Sequence, residues 1–490
     1  WTFDWNFVTS RPTCDWNSRR LAVDGRTFQL GTSCNSAGRV TAVHIPGSQL
    51  EGTLMSEIAL LTHLRFLALN NNQITGTLPV QLSQLSGLDY LAFHWNALDG
   101  QLPTWIGQFQ ELRVLGLGNN QFTGSIPFEY QLLTNLVTLG LDDNLLTGNL
   151  DNVQDLRNLK RLYLEDNIFV DTMDVSFMAG LVRLEELDLS DNDITGTLSL
   201  HMFNYDSLSI LDLHGNNIRG QFPSIIPENH NLTFMSLHNN LIGGTISPQL
   251  SNLKALSHMD LAFNNFTGPI PAEIGTMSNL RYLFLAGLNL NSGVVPPWIG
   301  QLSNMRDLSL KQTNRNGPIP EFFGSMTNLV LLDLDGNDLS GSIPSNLGLL
   351  RRLGYLLLNR NNRLSGSIPE SIQRLTSLGM YCPFVEKASV NCRLISIEQC
   401  AEILLVDRTS LSGNLNTLCS QGGEPKIIGS DCEGSNPEVT CVCCTICCDD
   451  SQSSESCLDR VYLGQLDPIW ENSYQRRFYQ FSPDVIYGNE

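Results

Sequence analysis

The amino-acid sequence predicts an α/β solenoid, a curved rod of about fifteen coils of about 24 residues with a parallel β-sheet on its concave face. Two observations carry this prediction. An Asn recurs about every 24 residues along most of the chain, inside a phrase such as "LGLGNNQFTGSIP" at 115–127. Before that Asn the apolar residues alternate, as Leu115 and Leu117 do, which is the pattern of a short strand with one buried face.

The Asn column marks the turn that comes after each strand. A buried amide there can satisfy backbone groups that would otherwise cost about 1–3 kcal/mol each, so stacked copies predict a ladder of amides. The Gly and the Ile-Pro pair that come next, as in Gly124 to Pro127, predict a turn and a second short extended segment. Leu288 and Thr313 take the column without an amide, and we expect looser turns or a changed curvature there. The ladder residues are Asn72, Asn96, Asn120, Asn144, Asn167, Asn192, Asn216, Asn240, Asn264, Asn337 and Asn361.

The repeat phrase LxxLxxLxLxxNxLxGxIP is similar to that of plant-type leucine-rich repeats, known from receptor-kinase ectodomains and from secreted inhibitors of cell-wall-degrading enzymes. The match covers roughly residues 40–370, and we predict the whole solenoid at 39–415. The resemblance implies an extracellular protein that recognises a partner. It does not extend to the kinase module of the plant receptors, so no signalling role is implied.

The N-terminal segment resembles the cap of the same family. "CDW" at 14–16 and Cys34 carry this likeness, together with "GRVTAVHIPGSQLEGTL" at 38–54. The resemblance implies a disulfide between Cys14 and Cys34. The cap helix that usually precedes such a Trp is absent, so we expect residues 1–38 to form an incomplete cap in a chain that begins late.

A cysteine-rich cap is predicted at 416–457. "DCEGSNPEVTCVCCTICC" at 431–448 resembles, more weakly, the caps of secreted leucine-rich repeat proteins of algae such as diatoms. Disulfides are favoured over a metal, although the spacing could also ligate zinc, because a solenoid end with little core needs covalent support. The 13 cysteines are an odd number, so one is unpaired in this chain, and the pairing beyond Cys14–Cys34 is left open. The predicted disulfide cysteines are Cys14, Cys34, Cys382, Cys392, Cys400, Cys419, Cys432, Cys441, Cys443, Cys444, Cys447, Cys448 and Cys457.

The C-terminal tail, residues 458–490, is rich in aromatic residues and carries Arg476 and Arg477 on an otherwise acidic chain. A disordered tail should contain few aromatic residues. Two alternatives arise. The tail either folds back on its own solenoid or docks onto a neighbouring subunit, which would allow a homo- or hetero-assembly.

Carboxylates cluster in the middle repeats, on the predicted concave face. Like charges on neighbouring strands repel each other, so the cluster either has a cationic partner or is a tolerated solvated surface. A basic peptide, a polyamine-like ligand or calcium would suit it. We call this set the acidic patch: Asp142, Asp143, Glu165, Asp166, Glu186, Asp188, Asp191 and Asp212.

Aromatic side chains lie beside small residues in the earlier repeats. Phe66, Tyr90, His94 and Trp95, which we call the aromatic rim, could form a shallow pocket that stacks on a ring or a sugar. The alternative is that these side chains pack on one another. In the later repeats His214, His238 and His258 could sense pH or bind a metal, but solvated histidines are the simpler expectation.

Composition excludes several classes of function. The net charge of -20 argues against a nucleic-acid partner, and no apolar run is long enough to span a membrane. The family resemblance implies an exported protein, and because the sequence does not open with a secretion signal we expect the signal peptide to have been removed. Glycosylation sequons occur at Asn231 and Asn265. No catalytic, cofactor or metal motif is found, so we expect a protein that is not an enzyme.

The sequence as a whole favours an extracellular recognition protein that binds a protein or glycan through its concave surface. One alternative is a structural subunit of an extracellular assembly or cell covering, joined through its tail and its odd cysteine. The other alternative is an inhibitor of a cell-wall-degrading enzyme.

Overall fold

The computed structural model describes residues 14, 17–21, 27–173, 180–198, 202–203, 205–227 and 231–375, together with five short strands at 403–405, 410–414, 427–430, 439–440 and 446–447. These residues belong to two compact units. The first unit runs to Pro223 and includes 231–242, and the second includes 224–227 and continues from Gly243.

The first unit begins with three antiparallel strands, Asn17–Leu21, Thr27–Cys34 and Val40–His44. The disulfide between Cys14 and Cys34 is present, as the family resemblance implied. From Val40–His44 onward each repeat contributes one parallel strand to what we call the first sheet. These strands are Phe66–Ala68, Tyr90–Ala92, Val114–Gly116, Thr138–Gly140, Arg161–Tyr163, Glu186–Asp188, Ile210–Asp212 and Phe234–Ser236.

A second set of short strands comes after the ladder Asn in each repeat of the first unit, where the Gly turn and the second extended segment were predicted. Six of them pair in parallel: Glu51–Thr53, Gln73–Gly76, Ala97–Gln101, Gln121–Gly124, Leu145–Gly148 and Ile168–Phe169. Further along, Thr172–Met173 pairs with Thr195–Gly196, and Thr197 forms a bridge to Arg219 in the strand Arg219–Gln221. The 3-10 helices of this unit are Ser56–Leu60, Val80–Gln84, Thr104–Gln108 and Phe128–Leu132.

The second unit repeats this arrangement. Its first sheet is parallel and consists of His258–Asp260, Tyr282–Phe284, Asp307–Ser309, Leu331–Asp333, Tyr355–Leu357, Ile403–Leu405, Ile427–Ser430 and Ile446–Cys447. Its second strands begin with Leu241–Thr245, of which Leu241 and Ile242 still belong to the first unit. The others are Asn265–Thr267, Gly293–Val294, Arg315–Pro318, Asp338–Gly341, Arg363–Ser367, Ser410–Asn414 and Val439–Thr440. Its 3-10 helices are Pro248–Asn252, Ala272–Thr276, Pro297–Gln301, Glu321–Ser325, Ser345–Leu349 and Glu370–Arg374. The parallel pairing thus continues into the region predicted as the cysteine-rich cap.

Every helix of more than three residues in the described part of the chain is a 3-10 helix. These short turns are the helical component of the α/β solenoid. Val80–Gln84 is typical: it has five residues, it comes after Pro79, and the amide of Leu82 donates to the carbonyl of Pro79 at 3.0 Å. So short a segment cannot offset the entropy of starting an α-helix, whereas a 3-10 turn closes over three residues.

Alternation along each strand gives the first sheet two different faces. Leu115 and Leu117 are fully buried on the core side, whereas Val114 and Gly116 point the other way. We call the side opposite the leucine core the front face, and it is the face that the sequence predicts to be concave. Every residue of the acidic patch and of the aromatic rim lies on a first-sheet strand or in the turn directly after it.

The amide ladder forms as predicted. The side-chain amide of Asn120 donates to the carbonyls of Phe93, Leu117 and Gly118, each at 3.0 Å. Its oxygen accepts the backbone amide of Leu98, also at 3.0 Å. One side chain therefore ties neighbouring repeats together and satisfies four backbone groups.

The expectation of loose turns at the missing amides is wrong for Thr313. Its hydroxyl donates to the carbonyl of Leu310 at 2.7 Å, and the guanidinium of Arg315 donates to the carbonyls of Thr313 and Asn291. Arg315 is 4% exposed, and burial lowers its pKa. A buried guanidinium therefore replaces the amide that this repeat lacks.

Candidate functional site

The acidic patch separates into two groups with different backbone positions. Asp143, Asp166 and Asp191 each precede a ladder Asn and have φ of 47°, 52° and 48°. Residues other than Gly adopt this left-handed conformation at a cost that Asn and Asp bear best. The turn itself therefore explains an Asp or Asn at these three positions, independently of any ligand.

The other five carboxylates belong to the front face. Asp188 is aligned with Tyr163 on one side and with Asp212 on the other, in three neighbouring parallel strands. Asp188 and Asp212 are 3% and 0% exposed, whereas Asp142, Glu165 and Glu186 are half-buried. The alternative of a tolerated solvated surface therefore does not hold for Asp188 and Asp212, because neighbouring strands about 4.8 Å apart shield them.

Hydrogen bonds hold several of these carboxylates in place. Ser190 donates to Oδ1 of Asp188 through its hydroxyl at 2.6 Å and through its backbone amide at 3.0 Å. Asn119 donates to Oδ2 of Asp142 at 2.8 Å. Glu186 accepts from Nε of Arg161 at 3.4 Å and from the hydroxyl of Tyr163. Each contact lies within one or two repeats, so the front face orients its own acids.

Positive charge is scarce around four of the acids. Among the described residues no Lys or Arg forms an ion pair with Asp142, Glu165, Asp188 or Asp212. Two buried carboxylate oxygens, Oε2 of Glu165 and Oδ2 of Asp212, have no hydrogen-bond donor there either. A buried carboxylate without a donor or a counter-charge costs free energy. His214 pairs with Asp212, so Asp142, Glu165 and Asp188 remain as a stripe of carboxylates without a paired cation among the described residues.

The pKa values of the acids reflect that imbalance. Burial, followed by repulsion from Asp143, raises the pKa of Asp142 to about 7. Burial also raises the pKa of Glu165 well above its usual value, and Asp188 adds repulsion. For Asp188 itself the causes are burial and then Asp212, and its pKa is likewise well above the usual range.

His214 supplies a counter-charge to Asp191 and Asp212. Its Nδ1 lies 2.7 Å from Oδ1 of Asp212, and its Nε2 lies 3.1 Å from Oδ2 of Asp191. Burial opposes protonation, but Asp212 and Asp191 outweigh it and raise the pKa of His214 well above its usual value. The ring also stacks on that of His238, with centroids 4.4 Å apart. The expectation of solvated histidines is wrong, since His214, His238 and His258 are all buried.

These shifts predict that the protein is more stable in mild acid than at neutral pH. The folded state keeps protons on Asp142, Glu165 and Asp188 that the unfolded chain releases between about pH 4 and pH 7. Protonated His214 acts in the same direction, because its contribution is lost as the pH rises through its raised folded-state pKa. Buried His94 acts in the opposite direction, because burial lowers its pKa to about 3 and the unfolded chain takes up that proton below about pH 6.5. The three acids and His214 outnumber it, so we expect the urea midpoint to be higher at about pH 5 than at about pH 8.

Glu165→Gln tests the assignment of this effect. Gln does not titrate, so the variant should be more stable than the original chain at about pH 8 and should show a smaller gain on acidification. Exposed Glu57→Gln is the matched control and should leave both midpoints unchanged. A midpoint that rises with pH in the original chain would contradict the prediction.

Two side chains of the aromatic rim pack on one another, which is the alternative that the sequence left open. Phe66 stacks on Tyr90 with ring centroids 4.1 Å apart, and His44 meets the Phe66 ring edge-on. Trp95 is 41% exposed with a φ of 57°. His94 is 3% exposed, and burial lowers its pKa to about 3. His94 is thus a neutral, buried side chain rather than part of an accessible rim.

The remaining predicted sites are the sequons, the cysteines and the tail. Asn231 and Asn265 are exposed, and the side chain of Asn231 donates to the carbonyl of Asp206 at 2.7 Å. Apart from Cys14 and Cys34, the side chains of the predicted disulfide cysteines lie outside the described residues, as does the whole tail at 458–490. Within the described residues there is no group of three metal-ligating side chains and no helix long and apolar enough to cross a membrane.

Family models described as Leucine rich repeat match residues 63–85, 157–218, 255–277 and 328–350. No curated protein matches the chain. Among solved structures, the plant peptide hormone receptor RGFR1 in complex with RGF2 is 27% identical with a TM-score of 0.63, and the match covers 80% of this chain and 63% of that one.

Two further structures extend the comparison. The leucine-rich repeat ectodomain of the plant membrane receptor kinase GASSHO1/SCHENGEN3 from Arabidopsis thaliana, in complex with CASPARIAN STRIP INTEGRITY FACTOR 2, is 25% identical with a TM-score of 0.56 over 82% of this chain and 55% of that one. A leucine-rich repeat protein of Leptospira interrogans is 29% identical with a TM-score of 0.58 over 76% and 85%. The chain spans less than two thirds of the length of the two plant receptor structures. It carries leucine-rich repeats and folds as a leucine-rich repeat solenoid similar to the ectodomains of plant receptors.

Proposed function

We propose that this chain is an extracellular, non-enzymatic recognition protein whose front face binds a protein partner, and that the carboxylates around Glu165 and Asp188 receive cationic side chains of that partner. The observation that carries the proposal is the unbalanced stripe of buried carboxylates in the first unit. The similar receptor RGFR1, which is seen in complex with RGF2, supports a protein ligand for this fold.

A cationic side chain would remove the cost that the stripe carries. Glu165 is half-buried, so a guanidinium or ammonium group can approach it from the front face and lie close to Asp188 on the neighbouring strand. Such a charge would lower the raised pKa values, and a rotation of the Glu165 side chain would bring Oε2, which has no donor in the described structure, to the bound cation. Charge pairs that become desolvated at an interface couple by about 1.5–7 kcal/mol, which is ample for specific recognition.

The charge of the front face favours one of the two partner classes that the sequence leaves open. A neutral glycan supplies hydroxyl groups but no positive charge, and an acidic glycan would be repelled by the stripe. Lys and Arg side chains of a protein match it. We therefore propose a basic peptide segment rather than a glycan. The structural-subunit and enzyme-inhibitor alternatives draw no support from contacts of the described residues.

Peptide selection combined with charge-neutralising variants tests this proposal. Short random peptides are displayed and selected on the full chain, and the affinity of the tightest ones is measured by fluorescence anisotropy. We expect enrichment of Lys and Arg, and a loss of affinity of about tenfold or more for the double variant Glu165→Gln/Asp188→Asn. The double variant Glu57→Gln/Asp151→Asn changes the net charge equally at exposed positions and should change the affinity less than about twofold.

Stability separates lost binding from lost folding in this test. The Glu165→Gln/Asp188→Asn chain should be more stable than the original at about pH 8, because Gln and Asn carry no charge that burial would penalise. Weaker binding by a more stable protein cannot arise from unfolding. Selected peptides without basic residues, or equal affinity for both double variants, would overturn the proposal.

A further inference from the structure

Two neighbouring repeats of the first unit carry exposed aliphatic side chains on their second strands. Leu145, Ile168 and Val170 are 52%, 45% and 56% exposed. Leu145 and Ile168 begin two paired second strands, and Val170 directly follows the later one. The residues that alternate with them, Leu146 and Phe169, are fully buried. We call Leu145, Ile168 and Val170 the aliphatic patch.

The fold does not require apolar residues at these positions. Leu145 and Ile168 each come directly after a ladder Asn, and Val170 comes three residues after one. Single exposed apolar side chains are ordinary on a protein surface, but neighbouring ones at positions that other repeats keep polar indicate a contact surface. Four other repeats of the first unit place Gln73, Gln121, Asp193 and Asn217 at the first position, and Thr75, Thr123, Thr147 and Thr195 take the second.

The aliphatic patch adjoins the carboxylates of the front face. Leu145 comes three residues after Asp142, and Ile168 comes three residues after Glu165. Three residues span at most about 11 Å, so a ligand held by these carboxylates is within reach of the patch. In both repeats the turn between carboxylate and patch contains the left-handed Asp described above. The same two repeats therefore present negative charge on one side of a turn and apolar surface on the other.

Negative charge also borders the far side of the patch and restricts what can cover it. Asp171 directly follows Val170, and the backbone amide of Asp193 donates to the carbonyl of Phe169 at 3.0 Å. A second copy of this chain, whose net charge is -20, would bring further negative charge against these acids, and an anionic membrane would do the same. A segment that combines basic and apolar residues matches both parts of the surface.

We propose that the basic peptide segment of the partner continues over this turn and places an apolar side chain on the aliphatic patch. This inference rests on the proposed function, since the front-face carboxylates fix where the segment binds first. An extended chain advances about 3.3 Å per residue, so the apolar residue should stand about three residues from a Lys or Arg. The ligand is thus a bipartite segment, with basic residues beside aliphatic or aromatic ones.

Peptide selection on two forms of the full chain tests the inference. The variant Leu145→Gln/Ile168→Gln/Val170→Thr gives the patch the residue types that other repeats have at the same positions, so its urea midpoint should equal that of the original chain. On the original chain, selection of random peptides should enrich Leu, Ile or Phe severalfold at about three residues from a Lys or Arg. On the variant, the enrichment of Lys and Arg should persist and the apolar enrichment should be lost.

Affinity provides a second measurement. The tightest peptide selected on the original chain should bind the patch variant about tenfold more weakly, because its apolar side chain no longer leaves water. The control variant Val80→Thr/Phe128→Gln/Val182→Gln removes three exposed apolar side chains elsewhere in the first unit. It should change the affinity by less than about twofold.

The possible failures have different signatures. Apolar enrichment that persists on the patch variant, or that is missing on the original chain, would overturn the inference, while enrichment of Lys and Arg would still uphold the proposed function. If basic residues are not enriched on either form, both proposals fail. A molar mass by light scattering that falls from dimer to monomer in the patch variant would show that a second copy of the chain covers the patch, which would also overturn the inference.

Discussion

Replacing Asn216 by Ala is expected to lower the free energy of unfolding by about 3–5 kcal/mol. The side-chain amide of Asn216 donates to the carbonyls of Leu189, Leu213 and His214 at 2.8, 3.2 and 3.0 Å. Its oxygen accepts the amide of Ile194 at 2.9 Å. Ala leaves the buried amide of Ile194 without this acceptor, which costs about 1–3 kcal/mol. The three carbonyls keep one other donor each, from Asn192, Asn240 and the backbone amide of Asp191, so each loses only a second hydrogen bond worth about 0.5–1.5 kcal/mol.

The neighbouring Asn217 provides the control for this prediction. Asn217 is exposed, and its side chain makes only a long contact of 3.5 Å to Asp193. Asn217→Ala should change the free energy of unfolding by no more than about 0.5 kcal/mol. Urea unfolding followed by circular dichroism measures both variants, and equal midpoints would show that the ladder does not carry the stability assigned to it.

Gly107→Ala is expected to destabilise the protein by about 2–3 kcal/mol, through overpacking rather than a lost hydrogen bond. Gly107 lies in the 3-10 helix Thr104–Gln108, where a Cβ atom would stand 2.3 Å from the backbone oxygen of Glu129 in the next repeat. Backbone cannot move aside as the end of a long side chain can. The two repeats would have to separate locally.

Gly87→Ala is the matched control, because the added Cβ would lie 3.9 Å from its nearest neighbour, the oxygen of Leu64. That is an ordinary van der Waals distance. We expect Gly87→Ala to be neutral or slightly stabilising in the same urea experiment, since Ala restricts the unfolded chain. If both variants unfolded at the same denaturant concentration, close packing between the 3-10 turns would not limit the spacing of the repeats.

The repeat period predicted the fold because the same residue pattern specifies the strand and the turn in every repeat. The alternation of Leu115 and Leu117 specifies a strand with one buried face, and the ladder Asn specifies the turn at the end of that strand. Because the repeats have nearly the same length, the strands of neighbouring repeats then align in parallel, and no other sequence signal is needed. The disulfide between Cys14 and Cys34 came from the family resemblance rather than from the pattern.

The buried Arg315 and the buried Asp188 are the features that the sequence did not predict. Both depend on contacts between repeats, and the residue pattern within one repeat carries no information about such contacts. Arg315 stands two residues after Thr313, where other repeats place a buried apolar residue such as Phe122 after Asn120. An Arg in an apolar column of the repeat that lacks its amide was a signal that could have been found. No such signal marked the burial of Asp188, because its shielding depends on which side chains flank it on both neighbouring strands.

The left-handed residue before each ladder Asn has a consequence for how such a surface can diversify. Asp143, Asp166 and Asp191 occupy this position in the first unit, as do Asn71, Asn119 and Asn239. Exchanging an amide for a carboxylate there leaves the backbone preference almost unchanged, so the electrostatic character of the protein can drift between neutral and negative without altering its architecture. A basic side chain such as Arg360 at this position bears a conformational penalty of about 1–2 kcal/mol. In this fold, substitutions that make the surface more negative at this position therefore cost less conformational free energy than substitutions that make it more positive.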